Sequence, residues 1–275
     1  MAALRKTITY IIIILLVLAW LLPIFSVVQA AIKSPEEFNS TSFFHFPTQF
    51  ALFDNFKKAI QHWKLHEFFL NSIIYSVAGG IITIITASMA AFSIVRLKPK
   101  FNFILFLIIY SGTLFPFQMY LIPLYKIFNQ TGLYDTKTGM ILVYSALAIP
   151  FSLFVYRGFY STIPKEIEDA AMIDGCNSFQ LYTKIFLPQA IAPTAVVALF
   201  QMSWIWNDLL FGMVLTRTDN ARPVMVSLAS MSGVSGGIIP YIMSGVIFTS
   251  LPTILLFILL RKYFISGMVL SVAGE

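Results

Sequence analysis

The fold class this sequence predicts is an all-α, polytopic membrane protein, and three observations carry that reading. Hydrophobic residues fill 58% of the 275 positions and charged residues only 11%, with a mean hydropathy of +0.83; that balance lies far outside the soluble range. Six apolar runs, near residues 8–31, 68–95, 101–126, 138–160, 189–216 and 238–263, are each long enough to cross about 30 Å of hydrocarbon at about 1.5 Å per residue. A polar connection at residues 161–188 reads as a helix-turn-helix elbow between the fourth and fifth runs. The expected organisation is one transmembrane unit, residues 1–275, with six spans and that elbow.

The first run follows Arg5 and Lys6. Val28-Gln29-Ala30 has the small-residue character of a cleavage site, but about twenty apolar residues exceed the usual 7–15 of a signal sequence, so the first helix is expected to stay. Basic residues at Arg5 and Lys6, at Arg96, Lys98 and Lys100, and at Arg261 and Lys262 all fall on one side if both termini are cytoplasmic. Lys57, Lys58 and Lys64 then lie in the long outer loop, where the rule weighs less. His45, His62 and His66 share that loop and read as ordinary solvated histidines.

The second span carries Gly79, Thr83, Ala87 and Ala91 at every fourth position. In lipid, helices approach through small residues because no hydrophobic force drives them together. That ridge reads as a packing seam. The third span is interrupted by Gly112, Pro116 and Pro123. Each proline removes a donor and frees a carbonyl about one turn back, and in a membrane such breaks are tolerated where protein, water or a cavity satisfies the freed groups. The third span is therefore expected to border a pathway, although packing alone would account for the same residues. Gln118, beside Pro116, is a pathway candidate.

The net charge of +6 comes from basic residues scattered at helix ends without an aromatic-interleaved groove, which excludes the usual nucleic-acid footprint and suits lipid headgroups. One cysteine, Cys176, excludes an internal disulfide framework or a cysteine metal site. No metal site and no catalytic residue is expected. Gly233-Val234-Ser235-Gly236 has the form of an intramembrane protease motif, but no histidine follows His66 to activate the serine.

The elbow is the most informative segment. Pro164 suits a first turn, and Glu166, Glu168 and Asp169 put negative charge at that helix's positive end. Ala170 and Ala171 offer a small surface. Asp174-Gly175 is a turn signal, and Asn177 or Ser178 suits the next cap. Phe179, Tyr182 and Phe186 follow at helical spacing, up to Pro188, which opens the fifth span. Thirty residues are spent where a handful would connect two spans, so something outside the chain is expected to use them.

Here the chain resembles a known family. Asp169-Ala170-Ala171, then Gly175, then Ile185-Phe186-Leu187-Pro188 is similar to the E-A-A, three residues, G, nine residues, I-x-L-P pattern of the membrane subunits of ABC importers. Aspartate replaces the first glutamate, which keeps the charge but shortens its reach by one methylene, and Glu168 would share its role. The stretches FFLNSIIYSVAGG, PFQMYLIPLY, IPKEIEDAAMIDG and WNDLLF extend the resemblance over nearly the whole chain, to the carbohydrate-importing branch and its maltose-type second permease.

The resemblance implies a bacterial or archaeal plasma-membrane permease, half of a pathway completed by a second, different permease. It implies two copies of a P-loop ATPase, an extracellular solute-binding protein and a sugar substrate. ATP and Mg²⁺ would be bound by the ATPase: this chain has no G-x-x-x-x-G-K-[ST] loop, and no cofactor is expected in it. Glu168, Asp169, Ala170, Ala171, Asp174, Gly175, Ile185, Leu187 and Pro188 would form the coupling site. Residues 217–237 occupy the place of the loop that reaches the binding protein, and the C-terminal stretch SGMVLSVAGE only faintly echoes the family's tail.

For the substrate pathway, the candidates besides Gln118 are Trp206, Asn207 and Asp208, near Trp204. Aromatic faces and amides are groups that bind sugars, while tryptophans near an interface also form a belt. Asp208 is the costliest residue at that depth. A permease for a non-sugar solute is one alternative. A self-sufficient secondary transporter or channel is the other, but it would place ionisable residues mid-helix, and the spans are nearly free of them.

Overall fold

The computed structural model describes residues 2–42, 44–231 and 238–272, with side chains over 5–42, 44–61, 64–231 and 238–263. Among them every regular element is helical. In chain order the α-helices are α1 (Ala2–Ile32), α2 (Pro35–Ser40), α3 (Leu52–Trp63), α4 (Leu65–Phe92), α5 (Asn102–Tyr110), α6 (Leu121–Thr131), α7 (Lys137–Thr162) and α8 (Lys165–Ile173). They continue as α9 (Ser178–Leu181), α10 (Leu187–Gln189), α11 (Ile191–Val197), α12 (Ser203–Trp206), α13 (Leu210–Leu215), α14 (Val224–Met231) and α15 (Ile239–Val272). Wider π turns occupy Ser93–Leu97, Tyr182–Phe186 and Ala198–Met202. The run at 233–236, the histidine side chain at 62 and the side chains of the C-terminal stretch lie outside the described residues.

Among the described residues four helices are long and apolar enough to cross a membrane, and two bent pairs raise the number to six when each pair is one span. The chain divides into two compact units, Met1–His66 with Ser227–Leu251, and Glu67–Val226 with Pro252–Glu275.

In the first unit, the exposed apolar surface of α1, from Ile8 to Val28, is what lipid contact requires. Its C-terminal carbonyls are not left open. Asn55 of α3 donates from Nδ2 to Ala31 O at 2.8 Å and Lys33 O at 2.7 Å, satisfying acceptors that a helix end otherwise orphans. Ser34 caps α2 by accepting from Glu37 N, with Pro35 in the first turn. Buried Lys33 donates to Ser42 O at 3.0 Å. His45 is not merely solvated: its Nδ1 lies 3.8 Å from Glu37 Oε1.

In the second unit, the small-residue ridge of α4 is a close packing seam. Thr83, Ala87 and Ala91 are fully buried, and a methyl group on Gly79 would meet Ile205 Cδ1 at 3.1 Å and Tyr144 Cβ at 3.7 Å. Thr83 Oγ1 bonds back to Gly79 O at 2.8 Å, so the seam holds no free hydroxyl. The N-terminal half of α4 also fixes the segment after α13. Asn71 donates to Arg222 O at 3.0 Å, Tyr75 to Ala221 O at 2.7 Å, and Val224 N to Ser72 Oγ at 2.9 Å. Asp135, before α7, accepts from the backbone N–H groups of Arg217 and Thr218 at 2.8 and 3.0 Å. Burial alone would raise that carboxyl's pKa, but these donors hold it below the usual carboxylate range.

Two expected spans are broken more deeply than the sequence indicates. The third is not one helix over 101–126 but two limbs, Asn102–Thr113 and Phe117–Thr131, bent by 91°. The bend falls at Pro116, which cannot continue the donor ladder. The fifth does not begin cleanly at Pro188: Ser178–Gln189 runs on from the elbow and turns by 74° into Ile191–Trp206. A second interruption, at 207–209, precedes α13.

Candidate functional site: the elbow and the aromatic recess

The elbow has a buried base and an exposed tip. In α8, Glu168 and Ala171 point inward, while Asp169, Ala170, Met172 and Ile173 are exposed. Asp174 ends the helix, its N–H donating to Ala170 O at 3.0 Å, and Gly175 follows at φ +82° with its N–H on Met172 O. A left-handed residue at a helix end is where glycine avoids a Cβ penalty. Asn177 then caps α9 in a reciprocal box with Gln180.

Three expectations change here. Ala171 is not part of the presented surface, because its side chain is packed against the core of the second unit with Leu181 and Phe186. Phe179 does not continue the inward stripe and is 68% exposed. The inward residues are Leu181, Tyr182 and Phe186, which pack on Phe92 and Tyr160, with a π turn over Tyr182–Phe186. Glu168 does not share an outward role with Asp169: it is 8% exposed, and its Oε2 lies 3.4 Å from Arg96 Nη1. Ile185 and Leu187 are half-buried against the same core, and Pro188 is exposed.

Arg96 is the residue that sequence reasoning missed, having counted it only as a topology marker. Its Nη2 donates to Tyr160 O at 2.8 Å and also to Ile163 O, and its guanidinium stands over the Phe186 ring at 4.9 Å. One buried cation therefore closes the C-terminal end of α7, neutralises α8 and stacks on the segment entering the fifth span. Phe92 packs on Tyr182 and Phe186 beside it. The elbow is fixed at its root, and its tip carries the apolar side chains of Met172, Ile173 and Phe179, with Ile173 86% exposed.

At the broken third span, Phe117, Phe200 and Trp204 line two adjoining recesses, of about 310 and 440 Å³. The first also includes Tyr120, Phe151 and Gln201, and the second Ser203, Asn207 and Asp208. The pathway candidates divide. Asn207 is exposed at the recess, its amide donating to Ser203 O at 2.7 Å. Trp206 turns away: it is 3% exposed and packs edge-on against Phe69 at 5.0 Å. Asp208 is buried and occupied, accepting from Tyr144 Oη at 2.8 Å and from Gly212 N at 3.1 Å at the start of α13. Gln118 is exposed but is not among the residues lining either recess. Phe200, Trp204 and Asn207 are spaced i, i+4 and i+7 and reach the second recess together across the π turn Ala198–Met202.

The family model described as "Binding-protein-dependent transport system inner membrane component" matches residues 68–269, from the second span through the elbow to the last helix. The chain belongs to that family. It is a permease subunit of an ABC importer, a multi-pass membrane protein. Among its relatives, a probable ABC transporter permease protein of Pyrococcus horikoshii is 40% identical over 65% of each chain. The melibiose/raffinose/stachyose import permease protein MelC of Bacillus subtilis is 28% identical over 91% of this chain and 90% of its own. The fold matches that of a chain from the crystal structure of a bacterial ABC transporter involved in the import of the acidic polysaccharide alginate, with a TM-score of 0.82 and 20% identity over 95% of this chain and 97% of that one. As a permease subunit the chain is a component of a larger importer and not an enzyme in itself.

Proposed function

We propose that this permease carries a sugar and takes its energy from a separate ATPase seated on the elbow. The observation that carries the coupling reading is the division of α8 and α9: Arg96 fixes the inner face, while Met172, Ile173 and Phe179 stand exposed around Gly175. An exposed apolar tip on a rigid base is what a groove in another protein would grip. Asp169, Ala170, Asp174 and Gly175 present that tip, and Ile185, Leu187 and Pro188 join it to the fifth span. Closure of two ATPases, each holding ATP and Mg²⁺, then moves the permease helices as docked bodies.

A second, non-identical permease completes the pathway, and a solute-binding protein delivers substrate from outside. Both termini are cytoplasmic in a bacterial or archaeal plasma membrane, in keeping with the basic residues at Arg5, Lys6, Arg261 and Lys262. The sugar assignment is supported by the similarity to the Bacillus subtilis permease named for melibiose, raffinose and stachyose, and by the aromatic faces of Phe117, Phe200 and Trp204 beside Asn207.

The test is to isolate the tagged chain from its native membrane and identify what accompanies it, alongside an Asp169→Lys, Gly175→Pro double variant. A P-loop ATPase and a second permease are expected with the parent chain, and loss of the ATPase alone with the variant. Screening the accompanying binding protein against oligosaccharides, polyols and peptides then tests the substrate class. A chain that stays alone and transports without ATP overturns the reading.

A further inference from the structure

We infer that the basic pocket beside the elbow's root holds the phosphate of an anionic phospholipid. The pocket, about 420 Å³, is lined by Arg96, Lys98, Asn102, Phe103, Arg157 and Ser161. These residues come from the π turn after α4, the turn into α5, the first residues of α5 and the last turns of α7.

Three cations line it, and only one is neutralised within the chain. Arg96 is committed to Glu168 and to the carbonyls of Tyr160 and Ile163. Arg157 stands over the Phe106 ring at 4.3 Å. Among the described residues no carboxylate lies within ion-pair distance of Arg157 or of Lys98. Two unneutralised cations lining one pocket select an anion. A phosphodiester suits them, because its two non-bridging oxygens match the guanidinium fork and the ammonium supplies a second, adaptable point charge.

Depth and surroundings select a lipid. Arg157 precedes the end of α7 at Thr162 by about 7 Å at about 1.5 Å per residue, which is the thickness of a headgroup layer, roughly 5–7 Å on each side of the hydrocarbon. Next to the pocket, α5 exposes Phe103, Ile104 and Leu107, an apolar flank that acyl chains cover and a free ion would not need. The headgroup floor is polar. Ser161 donates its hydroxyl proton to Arg157 O at 2.8 Å, which leaves its oxygen to accept from a headgroup hydroxyl, so phosphatidylglycerol fits better than a choline lipid.

The experiment is native mass spectrometry of the importer, purified with its partner subunits and reconstituted in nanodiscs of phosphatidylcholine with or without phosphatidylglycerol. Lys98→Glu, at an exposed turn residue where folding is not at stake, is compared with Arg157→Gln, Arg157→Lys and, as a control outside the pocket, Lys165→Gln. Retained phosphatidylglycerol is expected to fall about fivefold for each lost pocket charge, while Arg157→Lys and Lys165→Gln retain it. Equal retention in Lys98→Glu and the parent, or equal retention of phosphatidylcholine, overturns the proposal. Displacement of the lipid by millimolar inorganic phosphate would identify a free-anion site and also overturn it. So would a carbodiimide cross-link from Lys98 to a partner's carboxylate in the assembled importer, which would make the occupant a protein.

Discussion

Glu168 and Asp208 are both buried carboxylates of the second unit, held in opposite ways. Glu168 meets a full positive charge on Arg96, itself bonded to two carbonyls and stacked on Phe186. Asp208 meets only neutral donors, the Tyr144 hydroxyl and backbone N–H groups at the start of α13. The first joins segments distant in the chain around the elbow, and the second ties a helix start to α7 beside the recess. Neither acid is offered to a partner or a solute. The surfaces left for those are uncharged or nearly so: Met172, Ile173 and Phe179 at the tip, and Phe117, Phe200, Trp204 and Asn207 at the recess. For these two acids, buried charge positions, and the apolar surface beside it receives.

That contrast breaks most visibly at Arg96. Arg96→Met leaves Glu168 buried without its cation and is expected to cost about 3–5 kcal/mol, read as a fall in the unfolding midpoint of the purified permease. Adding Glu168→Leu should recover most of the loss but not all, since the Tyr160 and Ile163 carbonyls still lack their donor. If the single variant is as stable as the parent, the clamp is not what fixes the elbow.

The tryptophans separate stability from transport. Trp206→Ala removes a buried ring from Phe69 and is expected to destabilise by about 3–5 kcal/mol, whereas Trp204→Ala, at a half-buried ring beside Tyr144 and Phe117, should cost less stability and lower uptake more. Asp208→Ala, which strands the Tyr144 hydroxyl and two N–H groups, should cost about 1–3 kcal/mol; Asp208→Asn should keep measurable uptake, which a direct anionic role in transport would forbid. Gly175→Ala forces a left-handed alanine at a cost of about 1–2 kcal/mol, with no clash because no other group lies within 4 Å of the added methyl. Circular dichroism melts would resolve it.

The smallest effect is a pH dependence. Asp135 has its pKa lowered in the folded chain, so its contribution is complete above the unfolded carboxyl value, about 3.9, and is lost as pH falls through the folded value. Stability should be flat from pH 6 to 8, and Asp135→Asn should lower the melting midpoint slightly across that range while flattening the acid fall of the parent's profile, since the protonated parent and the variant converge at low pH.

Much of this was legible in the residues. Six apolar runs, the period-four ridge of α4, the prolines of the third span and the Asp174-Gly175 turn each rest on local chemistry that one stretch of chain displays. What was not legible depended on distance or phase. Arg96 and Glu168 are far apart in sequence, so nothing in either neighbourhood names the other. The inward phase of Ala171, and the outward phase of Phe179, depend on how α8 and α9 seat against Phe92, Leu181 and Phe186, contacts that no short stretch of chain displays. Trp204 and Trp206 differ by two positions, and only the helical face shared with Phe200 and Asn207 tells which one lines the recess.

The corner at Ala190 gives the fifth span the mechanics of a crank. A straight rod turned about its axis leaves its far end in place. Here the limb leaving the elbow meets the next at 74°, so a twist of the first becomes a sweep of the second. The second limb, Ile191–Trp206, is about 24 Å long at about 1.5 Å per residue. A twist of roughly 5° at the elbow therefore carries Trp204 sideways by about 2 Å, near the width of a sugar hydroxyl, with no helix having to stretch, melt or slide.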